Sequence, residues 1–486
     1  MTLESGSVTS PARSSPARIV SVGASAAGLR LDAADVGAAW GRGGGRGRTA
    51  VCAPDEDVLT LAAEAAGRAL TAAGIDGATV DGLWWGTSRP PFAEGPSHAL
   101  LAAAVGLSPN SSGALCSGST HAGIEALLAA ADAVAAGSAR VALVVVSDAV
   151  VPGPGTPFET RSGAGAAAVV LSAGDGPATI GARVTRTRPF LDRYRGDDEP
   201  ATRDVYDARL FREEVFVPLV REVAEQLGAL DVSAWSLPDP DGRLGAAVAK
   251  QLGAGAPASS AAYGAVGDTG AAAALLGAAQ AFDAPGAVGV VAYGGGRATG
   301  VVVTVDAPVP GAAGTADALA GGRSASYTEV LRARGQLVAT GETVPMGVPP
   351  ESAMFVRGMD EMLGLLGARC ADCGTISTPP SIHPTCVQCG GTKLEPVALA
   401  RRGVVHTFVV NQTMPAPFVA PLPIAVVDLE DGARVMLQVV GDGSGLHVGS
   451  PVELVLRRYA YERGVPVYGF KARATATQDD NAAEGV

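Results

Sequence analysis

The chain has 486 residues, 47 % of them hydrophobic and 17 % charged, and carries a net charge of −12. That length exceeds one ordinary core and predicts about three domains, while the acidic balance argues against a phosphate-gripping, nucleic-acid-binding role. The longest apolar runs, such as Val141 to Val146, fall far short of the roughly 20 residues a membrane span needs. Residues 1–17 are rich in Ser and Pro and lack the apolar core of a signal peptide, so the expectation is a soluble, cytoplasmic protein with polar tails over 1–17 and 477–486.

Between the tails, three stretches differ in character: 18–306, a linker-like 307–350 rich in Ala, Gly and Pro, and 351–476. In the first, apolar periodicity over Val58–Ala73 predicts a helix, followed by a strand over Val80–Gly86 and a loop, TSRPPFAEGPS. The order recurs as helix Glu214–Leu227, strand Val232–Leu237 and loop Pro238–Arg243. Each half closes on a Gly-rich turn and an apolar strand, SGAGAAAVVLSA from Ser162 and YGGGRATGVVVTV from Tyr293, which predicts an internal duplication with halves over 18–176 and 177–306. Strands that are near-continuous apolar runs, such as Val141–Val146 and Val288–Ala292, imply an α/β fold whose sheets are covered on both faces.

Residues Ala114–Ala130, ALCSGSTHAGIEALLAA, run from a short strand end through small residues into a helix, with Cys116 at the turn. A thiol at a helix N-terminus is favoured as the thiolate by the dipole and the unpaired N–H groups. Ser117, Gly118 and Ser119 leave room for a substrate beside it. A buried core thiol is the other reading of the same residue. His121 lies five residues on, about 140° round a helix from Cys116. It and His98, in GPSHALLAAAVGL, suit packed or capping roles as well as that of a base.

Six cysteines in a chain of this length do not suggest a disulfide framework. Besides Cys52 and Cys116, the other four form two CxxC pairs, Cys370 with Cys373 and Cys386 with Cys389, at zinc-ribbon spacing. Four thiolates close a tetrahedral site with no open position, which predicts a structural Zn²⁺ and leaves His383 without a ligand role. A helix and the ribbon occupy 351–399. Five short alternating strands then follow, over Gly403–Val410, Pro423–Leu429, Ala433–Val440, Pro451–Arg457 and Pro466–Lys471. They predict a small OB-type barrel over 400–476.

These motifs resemble known families over nearly the whole chain. DEDVLTLAAEAA (Asp55–Ala66), ALCSGSTHAGIEAL, YGAVGDTGAAAALLGA (Tyr263–Ala278) and YGGGRATG (Tyr293–Gly300) resemble the HMG-CoA synthase and ketoacyl synthase III branch of the thiolase superfamily, in its archaeal-type form. GVVHTFVVNQ, PIAVVDLEDGARVMLQVVG and Val448–Ala474 resemble the acyl-CoA-associated OB-fold family with a rubredoxin-like zinc ribbon, usually a separate subunit partnering thiolase-like enzymes. The resemblance implies a five-layered αβαβα thiolase fold, usually a homodimer, and Cys116 as nucleophile. It implies an oxyanion hole from the N–H groups of Cys116 and Gly295, Asp268 at the functional position of the glycine motif, and Arg243 as a CoA contact. The donor would be an acyl-CoA or acyl-carrier-protein thioester.

Three departures accompany the match, the first being Asp268, as in some HMG-CoA synthases, where ketoacyl synthases of type III have an Asn. Pro238 stands where a His-x-Pro-Asn-Gly-Lys pattern has its His, and Ser88 stands where HMG-CoA synthases carry a general-acid Glu. With His121 only a weak substitute, the expected activity is direct transfer from acyl-S-Cys116 to a small-molecule acceptor, in specialised metabolism, rather than HMG-CoA synthesis. The alternative is a thiolase-fold lyase of retro-aldol type, or a non-catalytic acyl-CoA-binding partner. The fused ribbon and barrel are expected near the mouth of the acyl-CoA tunnel.

Overall fold

The computed structural model describes residues 16–43, 45–196, 199–203, 207–228, 230–338, 353–414, 418–462 and 465–475. The proposed tails therefore lie outside the described residues, apart from Ala17 and its neighbour Pro16, and so does the last part of the expected linker.

Long runs of Val and Ala form strands because branched and small side chains pack on both faces of a pleated sheet. Val141–Ala149 and Ala164–Ser172 are buried along nearly their whole lengths. Nine strands form one hydrogen-bonded series in the order Ser112–Cys116, Gly82–Gly86, Val141–Ala149, Ala164–Ser172, Arg18–Ala26, Ala178–Thr187, Arg297–Val305, Gly286–Gly294, Ala234–Ser236. The order divides five and four at the seam between Arg18–Ala26 and Ala178–Thr187, where only two residue pairs meet, and the two sides match except for one extra edge strand in the first. Each half thus runs outward through an antiparallel strand into parallel ones, the duplication expected from the sequence.

The helices complete five layers. Val58–Ala73 covers the first half-sheet from outside, and Val217–Gly228 covers the second. Ala122–Ala135 and Ala273–Ala281 lie between the half-sheets, each touching strands of both and each other. Small residues make this middle layer possible: a β-carbon on Gly123 would lie 2.1 Å from the Ala271 carbonyl oxygen. The helix over Val58–Ala73 starts at a capping box in which Asp57 accepts from the Thr60 N–H, and it stops at Gly74 in the left-handed region. A turn of π-helix over Phe211–Phe216 precedes Val217–Gly228, so the second outer helix differs at its start from the Glu214–Leu227 predicted.

The stretch read as a linker is folded over its described part. Helix Thr315–Ala320 packs against Arg18–Ala26 of the first half and against the helices Ala258–Val266 and Ala273–Ala281 of the second, helix Tyr327–Ala333 packs against Ala33–Ala39, and Arg323–Ser324 pairs with the strand Leu29–Asp32. Its Ala and Gly content signals close packing here rather than flexibility. Arg334, at the end of the second of these helices, points inward to the buried Glu159, with Nη1 and Oε1 3.6 Å apart.

Strands Ile376–Ser377, Leu366–Cys370 and Leu394–Ala398 form the ribbon. The five barrel strands follow in the order Arg434–Gln438, Leu422–Leu429, Arg402–Asn411, Pro451–Glu462, Val465–Ala474. A bridge from Val439 to Ala472 nearly closes them. Leu422–Leu429 and Val465–Ala474 alternate buried and half-buried side chains, the pattern of strands with one face inside a barrel. The apolar core runs without a break from Ile19 and Leu61 to Leu456 and Phe470, so the barrel is docked on the layered fold.

Charge fixes that docking. Arg457, only 2 % exposed, places Nη2 3.2 Å from Glu56 and Nη1 3.6 Å from Glu64, both on the first half. Lys471 pairs with Asp55 at 2.9 Å, Arg473 with Glu64 at 2.9 Å, and the Tyr468 hydroxyl donates to Asp57 at 2.7 Å. Burial pushes the Glu64 carboxyl up, but Arg473, together with Arg68 and Arg457, more than reverses this and holds it below the usual range.

Candidate active site

Cys116 ends the strand Ser112–Cys116, in parallel register with Gly86, and its carbonyl accepts from the Thr87 N–H at 3.1 Å. The next helix begins only at Ala122. The expectation of a thiol seated on the helix N-terminus is therefore corrected: five residues separate the two. Burial and the negative charge of Glu125 push the thiol up instead of down. The turn over 117–121 is what reaches the site. Thr120 Oγ1 donates to the Tyr293 carbonyl at 2.7 Å, and Gly295, at φ +58°, lies against Ser119. Gly118, Ser119, Thr120 and Gly295 line one cavity of about 250 Å³ with Ser88, Arg89 and Arg193; its lining starts two residues past Cys116.

A second cavity of about 270 Å³ shares Thr120, Asp192 and Arg193 with the first. Its walls include Phe158, Phe211, Phe216 and Tyr293, and they bring in Pro238, Asp239 and Asp268. Asp268 is 6 % exposed; it accepts from the Gly270 N–H at 2.9 Å and from Arg193 at 3.1 Å. Pro238 does line the wall expected to carry a His. Ser88 donates to the fully buried Asp148 at 2.6 Å, and the same Asp148 oxygen accepts from the Ala271 N–H at 3.0 Å. Gly270, at φ +56°, is required here, because a β-carbon would lie 2.2 Å from that oxygen.

The remaining candidates fall elsewhere. His121 is 1 % exposed, shares a hydrogen bond with Thr299 Oγ1 at 2.8 Å, and has Nδ1 3.2 Å from Glu125, off the line of a good hydrogen bond. Burial lowers its pKa, and the ring bridges the two halves through Thr299 and lines neither cavity. His98 donates to the Leu83 carbonyl at 2.9 Å. Arg243 is exposed at the start of the helix Leu244–Gln251 and lines neither cavity. The sequence reading had passed over Asp148, Glu125, Arg193 and Asp239. Asp148 interrupts an otherwise apolar strand and Asp239 lies in the loop already singled out, so both carried a usable signal.

The four ribbon cysteines converge, their sulfurs all within 4.8 Å of one another. Separations of 3.6 Å (Cys370 to Cys389) and 3.5 Å (Cys373 to Cys386) approach the edge of about 3.8 Å that follows from tetrahedral Zn–S bonds. Each CxxC closes with a glycine N–H returned to the first cysteine's carbonyl, Gly374 to Cys370 and Gly390 to Cys386, both at 2.9 Å. The cluster can hold a metal ion.

Five layers with a duplicated sheet, joined to a ribbon and a barrel, make a thiolase-like fold with a fused OB-fold module. Residues 396–457 match the family model of the ChsH2 C-terminal OB-fold domain. A DUF35 domain-containing scaffold protein of Methanothermobacter thermautotrophicus is 37 % identical over 127 residues, 25 % of this chain and 94 % of that protein. Through this C-terminal part the chain belongs to the DUF35-type OB-fold family. The hydroxymethylglutaryl-CoA synthase of Pyrococcus horikoshii is 35 % identical over 154 residues, 32 % of this chain. The matched segment spans only 44 % of that relative's length. The structure of MvaS in complex with 3-hydroxy-3-methylglutaryl coenzyme A shares the fold, with a TM-score of 0.57 at 20 % identity over 69 % of this chain and 94 % of that one. Among the described residues no helix is long and apolar enough to cross a membrane.

Proposed function

We propose that this chain is a condensing acyltransferase: Cys116 takes an acyl group from a CoA or carrier-protein thioester and passes it to a small-molecule acceptor. The observation that carries the reading is the junction of the Cys116 turn with the Gly295 loop over a shared cavity. Two chain segments from different halves meet there, and backbone N–H groups at such a junction can hold the negative charge that develops on a thioester oxygen. The likeness to hydroxymethylglutaryl-CoA synthases supports thioester chemistry. Pro238 and the tethered Ser88 support simple transfer over HMG-CoA synthesis, since neither can relay a proton as His and Glu would.

In this reading the enzyme is a homodimer, as the resemblance implies, and the Cys370, Cys373, Cys386 and Cys389 set holds a structural zinc. The metal would close the ribbon and take no part in the reaction. The barrel holds the first half through Arg457, Lys471 and Arg473, and leaves a seam cavity of about 520 Å³ lined by Cys52, Arg89, Arg334 and Arg458. Arg89 lines both this cavity and that of Gly295, which supports a donor entering along the seam. Incubation with radiolabelled acetyl-, propionyl- and malonyl-CoA tests the reading. Protein-bound label in the wild type that is absent in Cys116→Ala supports it, and equal label in both sinks it.

A further inference from the structure

The loop that lacks its histidine holds a carboxylate one residue further on. Asp239 is 6 % exposed and lines the cavity that also contains Asp268, Thr120 and Tyr293. Its Oδ1 accepts from the Leu244 N–H at 3.1 Å, while its Oδ2 is buried without a hydrogen-bond partner. A helix cap does not account for that second oxygen, because Asp241 Oδ1 already accepts from the same Leu244 N–H at 3.0 Å and from that of Arg243 at 2.9 Å. The N–H groups of Gly245, Arg243 and Asp241 also act on this carboxylate, yet Oδ2 completes no well-formed hydrogen bond, and a buried oxygen in that position costs stability unless a ligand supplies a better donor.

We propose that Asp239 is the general base of the transfer step, taking through Oδ2 the proton of the acceptor as it attacks acyl-S-Cys116. The inference rests on the acyltransferase reading above. In the step, the acceptor's X–H bond breaks and an X–C bond forms at the acyl carbon; the C–S bond breaks, and its electron pair leaves on the Cys116 sulfur. The proton passes to Asp239 and then to the thiolate, so the enzyme returns to its starting state without a co-reactant.

The surroundings suit that work. Burial, with the charge of Asp241, pushes the Asp239 carboxyl up to about 6, near the working range of a base at neutral pH. Tyr263 faces it from the helix Ala258–Val266, and Asp192, Arg193, Arg161 and Asp268 face it across the cavity. Arg209 and Arg212 stand at the rim. Of these arginines, Arg193 pairs with Asp268, and Arg209 and Arg212 pair with Glu213.

The test separates loading from discharge. Wild type, Asp239→Asn and Asp239→Glu are loaded with acetyl-CoA, freed of donor, and followed by mass as acetyl-Cys116 is discharged by water and by phloroglucinol between pH 5 and 9. Asp239→Asn keeps the Oδ1 acceptor for Leu244 and should load like wild type, yet discharge about 100-fold or more slowly. Wild-type discharge should fall as pH drops through about 6, a limb missing in Asp239→Asn and regained in part by Asp239→Glu. A variant that loads and discharges like wild type, with the same pH limb, overturns the inference. Failure of every protein to take acetyl on Cys116 overturns the acyltransferase reading and this inference together.

Discussion

Replacing Arg457 with Met should undock the barrel while leaving each part folded. Arg457 bonds its own Leu456 carbonyl and otherwise serves two carboxylates of the first half. Glu64 would survive the loss, because Arg473 and Arg68 still hold it. Glu56 would not: it is 6 % exposed, and its remaining partners are the N–H groups of Gly28 and Ala53. Removing one member of a buried ion pair typically costs about 3–5 kcal/mol, mostly the penalty of the stranded charge. Hydrogen exchange of peptides covering 451–474 and 58–73 should then quicken by about two to three and a half orders of magnitude, at about 1.4 kcal/mol for each factor of ten.

The pH dependence has a definite sign. Burial already pushes the Glu56 carboxyl up despite Arg457. In the variant it rises further, and protonation relieves the penalty. The difference from wild type should therefore be largest near pH 8 and shrink as pH falls. A second change, Glu56→Gln in the variant background, should restore most of the protection. Exchange within a factor of about three of wild type, independent of pH, would refute the role given to this pair.

Other expectations follow from the same geometry. Glu125→Gln removes the charge that, after burial, raises the Cys116 thiol; its pKa should fall, and alkylation by iodoacetamide at pH 8 should be faster than in wild type. Cys373→Ser should abolish stoichiometric zinc by elemental analysis and loosen residues 366–398 in hydrogen exchange, because metal binding supplies much of the folding free energy of so small a ribbon. Label on Cys116 in any protein that stays folded should persist, which a catalytic metal would not allow.

Much of the architecture was legible because its signals are local. Continuous apolar strands such as Val141–Ala149, the helix over Val58–Ala73 and the alternation of Leu422–Leu429 each announce an environment within a few residues. What could not be read locally was set by contacts far apart in the chain. Gly, Ala and Pro over 307–338 resemble a linker until Tyr327 is seen donating to Glu159 and Arg323–Ser324 pairing with Leu29–Asp32. The Cys116 thiol was expected to be activated by a helix that begins only at Ala122, and its environment is set by burial and Glu125 instead. His121 suited a packed role better than that of a base, but the partner that packs it, Thr299, lies 178 positions away. Asp239 sits in a loop with a second aspartate, Asp241, and only the fold separates the buried carboxylate from the one that caps the helix at Leu244.

The most direct measurement is peptide mapping after exposure to acyl-CoA. Wild-type protein incubated with acetyl-, propionyl- and malonyl-CoA, then digested with trypsin under mildly acid conditions, should show one peptide, the one containing Cys116, gaining the mass of at least one of the acyl groups. Hydroxylamine should remove that mass, as expected for a thioester. An unmodified Cys116 peptide with every donor, or acyl mass found only on other residues, would contradict the account.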